Sequence, residues 1–176
     1  MKRKWIGYLA IVIIVFVIFS AGYLAAWQQV NSFAIESFKH SESMEKVGKY
    51  VDALNGYQIF DKKLRKYITW VGYVQISKMF EGFLVFSKPA VVQKAKKKIM
   101  HLISNMSLSE LERYFNMTVR SRNPYILYVT AELIKKYENL GNNSKVDMYK
   151  RLFAILGGKP EQIDMYYQRL HREADK

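Results

Sequence analysis

Three histidines are the side chains of this chain best suited to acid–base chemistry or metal binding, and their spacing favours neither. His40, His101 and His171 lie far apart, and none has a second histidine three or four residues away. A zinc site of the HExxH type needs such a pair on one helix face. The chain has no cysteine, which excludes disulfides, thiol chemistry and cysteine-ligated metals. We therefore expect three surface histidines, no metal and no cofactor.

Motifs for phosphate binding and for an activated serine are missing as well. The sequence contains no GxxxxGK(S/T), GxGxxG or GxSxG pattern, which are the patterns of nucleotide loops and nucleophile elbows. Its 15 acidic residues are scattered, so no carboxylate pair is predicted. We expect a protein that is not an enzyme and has no small-molecule substrate.

The strongest charge feature is the run QKAKKK at positions 93–98. On a helix, its lysines and the following histidine share one face opposite an apolar stripe. A basic amphipathic helix can bind anionic lipid or an acidic partner, and it can equally be a solvated face. The residues of this predicted basic face are Lys94, Lys97, Lys98 and His101.

The whole chain is basic. Its formal net charge is +13, and three of these charges (Lys2, Arg3 and Lys4) precede the first apolar run, which leaves +10 for the rest. Such an excess favours anionic partners such as lipid headgroups, nucleic acid or an acidic protein surface.

The element that must position these groups is the apolar segment 5–27, WIGYLAIVIIVFVIFSAGYLAAW, which has no charged residue. As a helix it would extend roughly 34 Å, enough to cross a bilayer with some tilt. The basic residues directly before it predict a cytoplasmic N-terminus and an extracytoplasmic remainder by the positive-inside rule. The aromatic residues predicted to lie at the two membrane interfaces are Trp5, Tyr8, Tyr23 and Trp27.

A cleaved signal peptide is the alternative for this segment. Its apolar region would be about 7–15 residues long, and this run is longer. Small residues between Ser20 and Ala26 nevertheless leave a cleavage site open. We expect an uncleaved single-pass signal-anchor.

The chain after the anchor is expected to be helical. Apolar residues recur every three or four positions over 30–54, and Asn55-Gly56 would end that helix. Residues 61–87 are apolar on nearly every side, which indicates a buried central helix or a second membrane span. Lys78 and Glu81 lie inside the segment and disfavour the span, so a central helix is predicted.

Three prolines, Pro89, Pro124 and Pro160, follow at spacings of 35 and 36 residues. Each is predicted at the first position of a helix, where proline costs nothing. Each full unit, 89–123 and 124–159, then reads as helix, turn, helix.

Serines after Asn-containing turns divide these units. Ser107 with Glu110, and Ser144 with Asp147, have the spacing of a capping box. The N-glycosylation pattern occurs at Asn105, Asn116 and Asn142, and its use depends on the compartment.

Helical hairpins with a period near 34 are typical of stacked repeats, and residues 89–173 resemble the tetratricopeptide family. Leu133, Tyr137, Gly141 and Val146 fall where that motif has Leu, Tyr, Gly and a small residue. The motif's Trp and Gly are replaced, at Thr130 and Ile134 respectively. The resemblance implies a short solenoid that binds protein, and an irregular helical bundle is the other interpretation.

The sequence therefore predicts an all-α protein with one N-terminal transmembrane helix. The expected segments are a basic N-terminus (1–4), the span (5–27), a membrane-proximal helix and turn (28–60) and a helical-hairpin domain (61–176). The predicted function is that of a scaffold or accessory subunit which binds a protein partner in a membrane complex. The alternative is a cytoplasm-facing basic domain that binds anionic lipid or nucleic acid; a nucleic-acid partner is not favoured, since no such fold motif is visible.

Overall fold

The computed structural model describes residues 2–82, 87–121 and 123–175, with side chains given for Tyr8 and from Ile11 onward. These residues are mostly helical, with one antiparallel hairpin, and they form two compact units, Met1–Glu36 and Ser37–Lys176. The elements are α1 (Lys2–Lys46), α2 (Tyr50–Asn55), β1 (Tyr57–Asp61), β2 (Lys66–Trp70), α3 (Tyr73–Lys78), α4 (Ala90–Asn105), α5 (Leu108–Thr118), α6 (Ile126–Asn139), α7 (Asn143–Ile155) and α8 (Ile163–Ala174).

The first unit is the N-terminal part of α1. Among the described residues α1 is the one helix whose length and composition would let it cross a membrane. Its large apolar side chains from Ile11 to Phe19 are all exposed, as expected of a helix whose solvent is lipid. The coarse prediction of a long apolar N-terminal helix is confirmed, and the side of the membrane on which each end lies stays a prediction.

The second unit has a helical core to which α4, α5, α6 and α7 contribute the predicted faces. On α4 the predicted stripe is buried, and on α6 the side chains of Val129, Leu133 and Ile134 are fully buried. On α5, Leu111 and Phe115 are buried. The 3.6-residue period of apolar side chains was therefore a reliable guide in this half of the chain. The buried residues predicted for α4 are Val92, Ala95, Ile99, Leu102 and Ile103.

The tetratricopeptide-like stack is not confirmed. Helices α6 and α7 pack as a hairpin, but α8 packs against both α4 and α6. In a solenoid each repeat contacts only its neighbours. The contact between the first and last helices of the repeat region is instead typical of a closed bundle.

One of the two predicted capping boxes is present. Ser107 caps α5: its hydroxyl accepts the Glu110 N–H at 3.3 Å, and its own N–H donates to the Glu110 carboxylate at 3.0 Å. The box at Ser144 was wrong, because Asn142 caps α7 by accepting the Lys145 N–H at 3.2 Å. An Asn side chain one position after Gly141 is an equally good acceptor and begins the helix two residues earlier.

The three prolines open helical segments less uniformly than predicted. Pro160 is the first residue of a 3₁₀ turn, Pro160–Gln162, that leads into α8. Pro89 is the residue before α4, and Pro124 lies in a turn two residues before α6. All three remain outside helix interiors, where proline would remove a hydrogen bond.

The predicted helix over 30–54 is interrupted. Helix α1 ends at Lys46, and Gly48 adopts the left-handed φ of 73°. The Lys49 N–H donates to the Met44 carbonyl at 2.9 Å, and the Gly48 N–H donates to the Glu45 carbonyl at 3.0 Å. These bonds close the helix in the manner of a Schellman motif, and α2 then starts at Tyr50.

The predicted central helix over 61–87 was wrong. Its first part belongs to a β-hairpin, in which β1 pairs antiparallel with β2. The pairing extends from Tyr57 opposite Trp70 to Asp61 opposite Lys66. Only the six residues of α3 are helical in the described part of the segment, which is too short for a second span. The remainder at 83–86 lies outside the described residues.

Local turn chemistry explains the hairpin. The Asp61 carboxylate accepts the N–H groups of Lys63 and Leu64 at 2.8 and 3.0 Å, an Asx turn that reverses the chain. Arg65 takes a left-handed φ of 48°. Aromatic and β-branched residues in both strands favour a pleated conformation. The turn and these residues together favour a hairpin over the helix that the spacing of the apolar residues predicted.

Candidate functional site

The α4 basic face, Lys94, Lys97, Lys98 and His101, is divided between solvent and an ion pair with α1. Lys94, Lys97 and His101 are exposed, and the His101 carbonyl accepts the Asn105 side-chain amide at 2.8 Å. Lys98 instead points towards α1, where its Nζ lies 2.8 Å from Glu45 Oε1. Three of the four predicted residues therefore remain available to a partner.

A half-buried cluster of polar side chains holds this face in place. Glu45, near the end of α1, accepts from Lys98 with one carboxylate oxygen and from the Tyr73 hydroxyl, at 2.9 Å, with the other. Burial, and then the hydrogen bond to Glu45, raise the pKa of Tyr73 well above its usual range. The tyrosine stays a neutral donor, and the cluster joins α1, α3 and α4.

A second carboxylate joins α5, α6 and α7. Glu112 Oε1 accepts from the Tyr137 hydroxyl at 2.5 Å, the Lys145 ammonium at 3.0 Å and the Tyr149 hydroxyl at 3.1 Å. The hydrogen bond from Tyr137, followed by that from Lys145, lowers the pKa of Glu112. A general base needs a pKa near neutrality, so these donors shift Glu112 away from that role and towards a structural one.

A third carboxylate is almost fully buried. The side chain of Glu132 on α6 is 3 % exposed, with its oxygens 2.9 Å from His171 Nε2 and 3.3 Å from Lys136 Nζ. Buried carboxylates are expected to be paired in this way. The signal in the sequence was an acid inside the otherwise apolar run of α6, and sequence reasoning missed it.

The histidines lie in three different environments. His101 is exposed, as expected. His171 is half-buried against Glu132, and the His40 ring stacks on Trp70 with centroids 3.8 Å apart. Both residues keep part of their surface in solvent, and helix packing brings each next to a partner that is distant in sequence.

No group of three or more potential metal ligands occurs in the described part of the chain. Two surface depressions are each lined by a single helix: one by α7 residues around Met148, the other by α8 residues around Arg169. A depression on one helix does not enclose a small ligand.

The predicted interfacial aromatics all lie on α1. Tyr8 is 68 % exposed, and Tyr23 and Trp27 are half-buried. The side chain of Trp5 lies outside the described residues. The exposure of three of the four side chains is thus described, and their depth in a bilayer stays a prediction.

Comparison of the chain with models of protein families, with curated proteins and with solved structures gave no match.

Proposed function

We propose that this chain is a single-pass membrane protein whose unit 37–176 serves as a scaffold or accessory subunit and binds a protein partner with an acidic surface. The observation that carries the proposal is the exposed part of the α4 basic face, Lys94, Lys97 and His101, in a chain of net charge +13 that also has a candidate span. Charge complementarity of this kind steers association and fixes the register of an interface.

Pre-organisation of α4 supports the proposal. The buried stripe of α4 and the Lys98–Glu45–Tyr73 cluster fix the helix from its inner side. A rigid helix loses little entropy on binding. In the finer, tetratricopeptide-like version of the proposal, the partner would also contact the hairpin of α6 and α7.

Affinity capture of the full chain from its native membrane in mild detergent tests this proposal. The double variant Lys94→Glu/Lys97→Glu should lose a protein that co-purifies with the wild type. The control Arg151→Glu/Lys159→Glu makes the same change of charge at two other exposed positions and should retain it. Equal capture by both variants, capture of no membrane component, or turnover of a substrate by the purified chain would contradict the proposal.

A second candidate rests on the net charge alone: a cytoplasm-facing domain that binds anionic lipid or nucleic acid. A C-terminal tag protected from protease added to intact cells would favour this candidate. A tag that is digested would favour the extracytoplasmic scaffold.

A further inference from the structure

The β1–β2 hairpin exposes apolar side chains that neither candidate function uses. Ile59 is 52 % exposed, Phe60 48 %, Leu64 58 % and Tyr67 70 %. All four lie in residues 59–67, which we call the hairpin tip. The strands contact chiefly each other in the described structure, so the tip projects as a separate feature. Clustered exposed apolar residues mark a site of interaction.

The same nine residues are strongly cationic. Lys62, Lys63, Arg65 and Lys66 flank Leu64 in the sequence, and all four residues are exposed. Asp61 is the one acidic residue of 57–70, and its carboxylate already accepts two backbone N–H groups of the turn. The tip therefore combines four exposed basic residues with four exposed apolar ones within nine residues.

The tip is also held in one conformation. Phe60 and Tyr67 pair edge to face with centroids 5.2 Å apart, and the Gln58 amide donates to Thr69 Oγ1 at 3.2 Å. At the base, Trp70 stacks on His40, and the Tyr57 hydroxyl lies 3.3 Å from His40 Nδ1. A two-stranded ribbon alone is marginally stable in water, and this base fixes it to the end of α1.

We propose that the hairpin tip docks on a lipid surface, with its apolar side chains in the interfacial layer and its basic residues on anionic headgroups. Tyrosine, phenylalanine and lysine are the residues that favour this layer, where one end of a side chain is apolar and the other wet. Basic residues beside apolar ones are the usual requirement for binding to anionic lipid. A candidate span in the same chain keeps that surface at high effective concentration.

This inference does not depend on the proposed protein partner, because it concerns other residues and another ligand. It requires only that the chain enters a bilayer. The absence of cysteine makes it directly testable, because one introduced cysteine gives one labelled position.

The experiment places an NBD fluorophore on Leu64→Cys in the full chain, reconstituted into nanodiscs of phosphatidylcholine with and without phosphatidylglycerol. The control is Ile155→Cys on α7, an equally apolar residue that is 79 % exposed. In anionic nanodiscs the label at 64 should be quenched by headgroup-region nitroxide lipids several-fold more strongly than the label at 155. It should also be less accessible to iodide.

Charge variants distinguish docking of the hairpin tip on anionic lipid from attraction of the fluorophore itself to the bilayer. Lys62→Gln, Lys63→Gln and Arg65→Gln, added to Leu64→Cys, should each lower the docked-to-undocked ratio about fivefold, which corresponds to ~1 kcal/mol per basic residue near an anionic surface. The proposal is overturned if positions 64 and 155 are quenched equally by nitroxide lipid. It is equally overturned if iodide is excluded without nitroxide quenching, since that indicates contact between protein copies.

Gel filtration of the nanodiscs shows separately whether the chain has entered the bilayer. Failure to enter would count against both this inference and the membrane anchor of the proposed function. Entry without contact at position 64 would overturn this inference alone.

Discussion

Glu132 shows what a single buried carboxylate requires of its surroundings. It lies on the inner side of α6, and two side chains lie close to its oxygens: Lys136, one turn further along the same helix, and His171 on α8. The first partner is local in sequence and the second is 39 residues away. A buried polar group that loses a partner is destabilising, and His171 is the partner of Glu132 that joins α6 to α8.

Replacing His171 by alanine should therefore reduce stability. We expect His171→Ala to lower the free energy of unfolding by about 2 kcal/mol, because it removes a hydrogen bond from a charged, buried acceptor. The matched control His101→Ala removes an exposed ring and should change stability by less than about 0.5 kcal/mol. Urea unfolding of the full chain in detergent, followed by circular dichroism, measures both; equal losses would show that Glu132 does not need His171.

Glu112 makes stability depend on pH. Its donors, Tyr137 foremost, hold its pKa below the ordinary 4.5 in the folded chain. A carboxyl group whose pKa is lower in the folded chain than in the unfolded chain stabilises the folded state at pH values above its unfolded pKa. This contribution is lost as the pH falls through the pKa of the folded chain. At neutral pH, Glu112→Gln should cost about 1–2 kcal/mol, since three donors lose a charged acceptor.

On acidification below pH 4.5 the difference in free energy of unfolding between the wild type and Glu112→Gln should shrink, because the wild-type carboxyl becomes neutral. Urea titrations at a series of pH values measure it. Glu161→Gln, at an exposed position, is the control and should follow the wild type throughout. A constant difference at every pH would show that the variant acts through packing rather than charge.

At the scale of the elements, two serines that look alike in sequence have different roles. Ser107 caps α5, whereas Ser144 lies exposed inside the first turn of α7, which Asn142 caps. Ser107→Ala and Asn142→Ala should each cost about 1 kcal/mol, and Ser144→Ala should cost little, because only the first two remove an acceptor from an unpaired helix N–H. Thermal unfolding of the three variants measures these losses of stability. A loss for Ser144→Ala equal to that for Ser107→Ala would show that Ser144 caps α7, as the sequence predicted.

The base of the hairpin depends on a close approach of two backbone segments. A Cβ added at Gly72 would collide with the Leu54 carbonyl and with the Gly56 N–H, both backbone groups that cannot move aside. Gly72→Ala should therefore cost about 2 kcal/mol or more. The comparison variant Gly141→Ala has open space but a φ of 66°, and should cost about 1 kcal/mol from backbone strain alone.

The urea midpoints of the two glycine variants provide the test. A smaller loss for Gly72→Ala than for Gly141→Ala would mean that the two segments can separate at little cost. In that case the hairpin would not be fixed to α2.

Helices α4 to α7 were predictable because several signals coincided. Apolar periodicity indicates each helix, the Ser107 cap marks the start of α5, and Pro89 and Pro124 lie within two residues of the starts of α4 and α6. The hairpin was not predictable from periodicity, since its tip exposes apolar side chains from both faces and so shows no alternation of apolar and polar residues. The partners of Glu132 and Glu112 come from other helices, so the carboxylate clusters could not be found without the packing.

At the scale of the whole molecule, charge and hydropathy are segregated along the chain. An apolar helix with three preceding basic residues comes first, and a unit whose basic residues outnumber its acidic ones follows. Orientation in a membrane depends on the balance of Lys and Arg on the two sides of the span. Residues 28–46 hold nearly balanced charges, so Lys2, Arg3 and Lys4 should decide it.

The orientation can be measured with the same single cysteine that serves as the control for the hairpin. In intact cells or spheroplasts, Ile155→Cys should react with a membrane-impermeant maleimide, because we expect unit 37–176 to lie outside the cytoplasm. Replacement of Lys2, Arg3 and Lys4 by glutamine should lower this labelling, since the bias that retains the N-terminus in the cytoplasm is removed. A cytoplasmic protein with an accessible cysteine serves as the control for leakage. If Ile155→Cys reacts only after the cells are lysed, the unit faces the cytoplasm, and the second candidate function is favoured over the extracytoplasmic scaffold.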